Sequence, residues 1–481
     1  RAEVIRDGDG KNITPSAVYF ASSDKTIVGY DALIESVANP GKVAKAFKRE
    51  MGKEEAFPGF PLSPTDLSAL VLKKMKAIAE SQLKTVDSAV ITVPANFTNG
   101  ARVATITAGR MAKLPVDHIV NEPTAAALYY AYVEGVSGKI AVYDLGGGTF
   151  DISIVDVSGS DVEVLSSQGA QRLGGTDFEE KLLDLIREKY QKQAGTDYLV
   201  AESDLRNDRL EDVKIVLSRR ETKIVSVEPE GRPRENVEIT QAEFSAAIGT
   251  LITKAEMLFE AALDEAGLSV EDLDHVVLVG GSTRNPAVRE SVKKFVGKDP
   301  VATANVDEVV ALGAALYAGL KSEGDSLTAA QRSVVDKLAL NEVCNHFFGT
   351  IALSHDSELQ KYEDRVSILI EKNSRIPVSV TEKYFTVADG QQHVNCIVTQ
   401  SVTAESDPRW VTTVKETVLG PLPADRSAGK EVRVTFSYDS NQTMKCEFLD
   451  VESGMSENVS IDLREEASID AVSDIDRFLV E

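Results

Sequence analysis

Apolar residues recur along the first two thirds of the chain in two alternating rhythms. Continuous apolar runs bounded by turn residues predict buried strands: VDSAVITVP at 86–94, two runs within 139–157 around a glycine-rich turn, and DHVVLVGG at 274–281. Between them lie stretches with helical spacing. The clearest follows Ser63, where Ser63 as N-cap, Pro64 at the first helical position and Asp66 form a start signal. Leu67, Leu70, Val71, Met75, Ile78 and Ala79 then fall on one apolar face. Such strand–helix alternation predicts an α/β architecture with parallel or mixed sheets.

The pattern changes near residue 320. The polar, small-residue-rich stretch 321–331 predicts a linker. The apolar strip Val334, Val335, Leu338 and Leu340 behind it fits either docking at a domain junction or the first strand of a second unit. Strand-like runs follow at 366–370, 378–386, 394–399, 411–419, 431–438 and 444–451, separated by Gly, Pro, Asn and Asp with no helix between them. They predict an antiparallel β unit, in which Trp410 is expected as buried packing. The expected organisation is a first domain at 1–320, a linker at 321–343, a β unit at 344–455 and a short acidic tail at 456–481.

Composition narrows the function. With 481 residues, 43% hydrophobic and 27% charged, the chain is globular in character. It has no uncharged apolar run of the roughly 18–20 residues a membrane helix needs, so no membrane partner is expected. The opening RAEVIRDGDG has no apolar signal core. A net charge of −24 and a pI near 4.8 repel phosphate backbones and argue against nucleic acid as a partner. Lys, Mg²⁺ and backbone N–H groups can still hold a nucleotide locally. Cys344, Cys396 and Cys446 form no CxxC, and the scattered histidines form no HExxH. A reducing cytoplasmic setting is expected, and a zinc enzyme has little support.

The sharpest chemistry lies in YDLGGGTFD at 143–151. A strand delivers Asp144 to its end. Gly146, Gly147 and Gly148 then allow positive φ and close backbone approach, so several N–H groups can face one anion. Thr149 adds a hydroxyl. Asp144 and Asp151 flank the cradle and can hold Mg²⁺ through its waters. A plain glycine turn explains the glycines but not the paired aspartates. No GKS or GKT follows, so this is not a Walker loop. Gly174 and Gly175 in RLGGTDF and Gly280 and Gly281 in LVGGSTR suggest further loops around the same nucleotide, although each pair alone also fits a structural turn. Glu211, Lys214 and Ser218 are spaced to share one helix face that could line a base and ribose, or could simply be solvated.

Together DLGGGTFD, NEPTAAAL, VPANF, LGGTDF and LVGGSTR resemble the motifs of the 70-kDa heat-shock chaperones, the DnaK type. The resemblance runs over about 10–320, and more weakly over 341–454 through IEKNSRIPVSVTEKYFTVADGQQ and VRVTFSYDSNQTMKCEF. It implies a two-lobed α/β actin-like ATPase domain followed by a C-terminal antiparallel β-sandwich that grips extended peptides. It implies ATP/ADP and Mg²⁺ as cofactors. Implied partners are unfolded client polypeptides, a J-domain co-chaperone and a nucleotide exchange factor.

By motif, Asp144 and Asp151 are similar to the aspartates that organise metal and attacking water, and Thr149 to the hydroxyl near the γ-phosphate. Glu122 resembles the carboxylate that places the metal-bound water, and Lys48 the catalytic lysine. The resemblance puts Arg49, Glu211, Lys214, Ser218, Gly281, Ser282 and Arg284 around base and ribose, and Asp307 near the closing base-side lobe. Pro94 and Arg102 match a proline switch and its arginine partner, which relay nucleotide state between domains. Tyr384, Phe385, Val387, Val394 and Cys396 match the peptide groove and its arch, or alternatively ordinary sandwich core.

The chain also departs from the pattern. It starts after the first, DLGTT-type phosphate loop, which is expected to lie outside the given sequence. Asn441 and Gln442 stand where the family carries Asn-Gly. The stretch after 455 is too short for the family's helical lid, so a lidless protein with fast peptide exchange is expected. Two other functions stay open: a sugar kinase or other small-molecule phosphotransferase on the same ATPase core, and a binding protein that holds nucleotide without turnover.

Overall fold

The strand Gly138–Leu145 lies inside a mixed sheet and is flanked on both sides. His275–Val279 pairs with it in parallel and Phe150–Ser158 antiparallel, and Asp161–Ala170 continues the sheet beyond. The computed structural model describes residues 2–159, 161–205, 208–301, 305–322, 327–336, 339–356, 361–439, 443–462 and 474–481. They form two units: one of 1–162, 166–339 and 469–481, the other of 163–165 and 340–468.

In the first unit the expected strand–helix alternation is present. The run at 86–94 forms the strand Ala89–Val93, parallel to Val116–Asn121. The helix Glu122–Tyr132 starts where that second strand ends, and nearly every residue from Pro123 to Ala131 is buried. Its Tyr130 hydroxyl donates to the Leu278 carbonyl at 3.0 Å, tying the helix to the mixed sheet. The helix Pro64–Leu83 begins at Ser63 with the reciprocal capping box to Asp66. Its apolar face is narrower than the periodicity predicts. Leu67 and Leu70 are fully buried, but Met75 is exposed. A small antiparallel sheet of Lys25–Val28, Ala17–Phe20 and Val43–Lys45 packs on this helix.

The second unit has two four-stranded antiparallel sheets. One orders Lys361–Ile370, Phe347–Asp356, Val394–Ser401 and Thr412–Leu419; the other Val378–Phe385, Glu431–Tyr438, Met444–Asp450 and Ser456–Ile461. Phe348, Ile370, Cys396 and Leu419 from the first meet Val432, Phe436, Cys446 and Phe448 from the second in one core, which makes the unit a sandwich.

Several expectations need correction. The stretch read as a linker contains the helix Ala329–Val335, whose Val335 packs against Leu316 in the first unit. The 334–340 strip is therefore partly helical; Leu338 lies outside the described residues. The tail at 456–481 is structured at both ends. Ser456–Ile461 is a strand of the sandwich, and residues 474–481 pack on the first unit. Residues 463–473, Asn441 and Gln442 lie outside the described residues. Trp410 is 70% exposed in the short turn Pro408–Trp410, not buried.

Candidate functional site

Asp144 and Asp151 leave opposite strands of one hairpin as direct register partners, joined by the four-residue connection 146–149. The Gly146 N–H donates to the Thr149 carbonyl at 3.1 Å and closes the turn. None of the three glycines adopts a positive φ, contrary to the expectation for this loop. At Gly148 smallness serves approach instead. A Cβ on Gly148 would come within 3.0 Å of Arg49 Nε, and one on Gly174 within 2.8 Å of the Gly148 nitrogen. At Gly147 a Cβ would meet nothing within 4 Å: this glycine borders open space.

The other two glycine pairs come to the same place. The helix Gly175–Ala194 starts against the loop, with the Gly175 N–H donating to the Gly146 carbonyl at 3.0 Å and Thr176 N–H to that of Gly147 at 2.8 Å. The strand His275–Val279 ends beside Asp144, and Gly280 there takes φ +84°, at a place where a Cβ would also strike the Leu145 carbonyl. Ser282 Oγ then donates to the Gly146 carbonyl at 2.8 Å.

The loop 146–149 and the first turns of the Gly175–Ala194 helix border a cavity of about 760 Å³, within the range of small-molecule sites; Asp144, Asp151, Gly280 and Ser282 are not among its lining residues. Lys48, Arg49, Glu122, Gly146, Gly147, Gly148, Thr149, Glu211 and Lys214 line it. Lys48 sits in the short turn Phe47–Glu50, entered through Ala46 at φ 59°, a left-handed conformation that a non-glycine residue holds only where its surroundings fix it. Its ammonium pairs with Glu122 at 2.5 Å. Glu122 stands on the first turn of its helix, where the positive helix end favours a carboxylate. Arg49 pairs with Asp177 at 2.5 Å.

The electrostatics are those of a crowded anionic site. Burial, then the Glu122 charge, pushes Asp144 up to about 7, with Lys48 opposing. Asp151 is raised well above the ordinary carboxylate range by burial, then by Glu122 and Asp144. Enclosure disfavours charge on Lys48, but Glu122, Asp144 and Asp151 outweigh it and raise its pKa. Asp151 Oδ1 is buried without a hydrogen-bond partner. An orphaned carboxylate oxygen beside a second acid fits a hard cation, or the water such a cation carries. Among the described residues no three His, Cys, Asp or Glu side chains converge as a direct metal cage.

Lys214, in the helix Leu210–Leu217, also lines the cavity; it pairs with Glu179 at 2.6 Å and lies 3.4 Å from the Gly175 carbonyl. Glu211 shares the wall. Ser218 follows the helix as its cap, and its hydroxyl turns back to the Lys214 carbonyl at 3.0 Å. Arg284 and Asp307 pair with each other at 2.8 Å, and Gly281 abuts Asp307. Arg102 is buried and donates to the carbonyls of Phe97 and Ala95 and to Asn121 Oδ1, gripping the turn that Pro94 opens. No motif in the sequence points to Asp177, Glu179 or Thr176 in these roles. Asp177 carried a local signal, since it sits at a capping spacing after Gly174. Glu179 carried none, because its partner lies 35 residues away.

In the sandwich the five groove candidates separate. Phe385 and Val387 are exposed. Cys396 has no accessible surface and belongs to the core, so it lines no open groove; burial pushes its thiol up to about 12. Tyr384 and Val394 pack partly on that core, and the Tyr384 hydroxyl donates to Ser367 Oγ at 2.8 Å.

The family model described as Hsp70 protein matches residues 1–60 and 54–479, nearly the whole chain.

Proposed function

The chain belongs to the Hsp70 family, and from that premise we propose that it is an ATP-driven chaperone of actin-like ATPase and β-sandwich architecture. In this reading the sandwich binds extended apolar segments of unfolded polypeptides, and ATP binding and hydrolysis in the first unit control it. A J-domain co-chaperone and a nucleotide exchange factor are the partners proposed with it, and the cytoplasm the setting. The observation that carries the reading is the bonding of three glycine loops to one another beside a cavity lined by Lys48, Glu122 and residues 146–149, with Asp144 and Asp151 close enough to raise the pKa of Lys48.

Each residue has a part in the mechanism. The backbone around Gly146, Gly147 and Gly148 receives the phosphates, with Thr149 beside it. Lys48 carries the positive charge that stabilises the transferring phosphoryl group, and Glu122 fixes its position. Asp144, Asp151 and Glu122 would hold the hydrated Mg²⁺, which supplies charge neutralisation on the phosphate oxygens when bound. Asp144 or Asp151, both raised by burial, accepts the proton of the attacking water. Lys214 and Glu211 hold the base and ribose end.

The test is single-turnover ATP hydrolysis, with and without an unfolded peptide. Phosphate release that the peptide accelerates is expected. Tight ATP binding with no release would favour a non-hydrolysing binding protein, and phosphorylation of a sugar would favour a small-molecule kinase.

A further inference from the structure

Residues 474–481 lie across the first unit as an added edge strand. Leu479–Val480 pairs in parallel with Lys25–Val28, Lys25 facing Leu479 and Thr26 facing Val480. Three backbone bonds stitch the pairing: Leu479 N–H to the Asp24 carbonyl at 2.8 Å, Glu481 N–H to Thr26 at 3.0 Å, and Val28 N–H to Glu481 at 2.9 Å. Just before it, the turn Asp474–Arg477 drops Ile475 into the core, and Phe478 follows. Both are almost wholly buried, in the cluster that holds Val18, Val28, Phe47, Leu67 and Leu70. Phe478 stands edge-on to Phe20 at 5.8 Å.

Charged groups close over the apolar pair. Lys73 donates to the Phe478 carbonyl at 2.9 Å, Lys113 pairs with Asp476 at 3.1 Å, and Lys25 with Glu481 at 2.6 Å. The arrangement has the parts of strand-addition peptide recognition: a free sheet edge for the backbone, and apolar slots for anchors at fixed spacing. The anchors here are Ile475 and Phe478, three residues apart. Lys73 and Lys113 give the slot a positive rim that suits the acidic sequence DIDRFLVE.

We propose that this edge and the slot beside the Pro64–Leu83 helix are a docking site for a short extended peptide carrying two apolar anchors three residues apart, and that residues 474–481 are its occupant in cis, held as a detachable clasp. In chain order the sandwich lies between residue 339 and this segment, so the docked clasp attaches the first unit to the chain on both sides of the sandwich. Its release leaves one attachment. The inference stands on packing and pairing alone and does not depend on the nucleotide reading.

The test uses the full chain. Lys25→Cys with Leu479→Cys places two thiols on adjacent strands roughly 5 Å apart at Cα, within disulfide reach; the native cysteines are all buried. Mild oxidation should give an intramolecular disulfide in a folded monomer. Absence of that bond, or a bond only between chains, would overturn the cis clasp. In a second variant, Phe478→Asp, hydrogen exchange at the Val28 amide should rise at least tenfold. A fluorescent peptide of residues 474–481 should then bind at least tenfold more tightly than to the unaltered chain, whose slot is filled, and the disulfide-locked chain should refuse it. Unchanged exchange at Val28, or a peptide that binds all three proteins equally or none, would overturn the docking site.

Discussion

Asp144 and Asp151 face each other across one antiparallel hairpin, each the other's register partner. Residues so paired project to the same face of a sheet, which brings two carboxylates together where both are nearly inaccessible. Neither can be charged at low cost without a cation nearby. The pairing makes the site a poor home for two anions and a good one for a divalent ion with its waters, and it yields the first two predictions.

Asp144→Asn and Thr149→Val should each slow ATP hydrolysis by about a hundredfold or more, the usual effect of losing one preorganised electrostatic contact. Folding should survive, because neither change opens a cavity. Phosphate release in a single turnover, read beside a thermal melt, checks both. Wild-type turnover in either variant would contradict the catalytic assignment.

The Asp144 shift also sets a pH dependence for the protein without nucleotide. Its folded pKa, about 7, lies above the ordinary 3.8, so the native state binds more protons than the unfolded one between these values. Stability contributed by this group is therefore lost as pH rises from about 4 to about 7. Asp144→Asn should remove that loss, making the variant relatively more stable at pH 7.5 than at pH 5 when compared with wild type. Urea midpoints at the two pH values measure it, and parallel pH profiles would refute it.

Lys214→Ala should weaken nucleotide affinity more than it slows the chemical step. Lys214 pairs with Glu179 on the cavity wall, whereas the acids and Lys48 cluster by Glu122. Calorimetric affinity and the rate at saturating ATP separate the two effects. A pure rate defect would move Lys214 to the phosphate end.

Phe385→Ala and Val387→Ala should leave sandwich stability within about 0.5 kcal/mol of wild type, as exposed positions do, while weakening capture of an extended apolar peptide. A mutation in the wholly buried Cys396 should do the reverse, destabilising the unit without a direct effect on the peptide surface. Thermal melts and fluorescence anisotropy with a labelled peptide distinguish the patterns.

Arg426 Nη1 donates to both carboxylate oxygens of Asp450 in the sandwich, at 2.7 and 2.9 Å, with Asp450 wholly inaccessible. Burial works against the Asp450 charge, but Arg426 and Ser453 hold its pKa below the ordinary value. Asp450→Ala leaves the buried guanidinium with Glu452 at 3.5 Å in place of two short bonds and should destabilise the sandwich by up to about 3 kcal/mol. A urea titration of the sandwich transition reports the loss.

Local chemistry was legible in the sequence wherever one segment carries its own reason. The Ser63 capping box, the hairpin around Gly146, Gly147 and Gly148, and the strands at 431–438 and 444–450 follow from side-chain pattern and turn residues within a few positions. The family was legible for the same reason, since its motifs are short and contiguous. What joins distant segments was decided only in three dimensions. Glycine type could not say that Gly148 and Gly174 serve close approach, because that depends on Arg49 and on two separate loops meeting. The spacing of Glu211, Lys214 and Ser218 could not reveal Glu179 as the partner of Lys214. Nor could an acidic stretch show that Ile475 and Phe478 bury themselves against Val18 and Leu67, more than 400 positions away. Two apolar residues make no periodic pattern; only the slot that receives them gives them meaning.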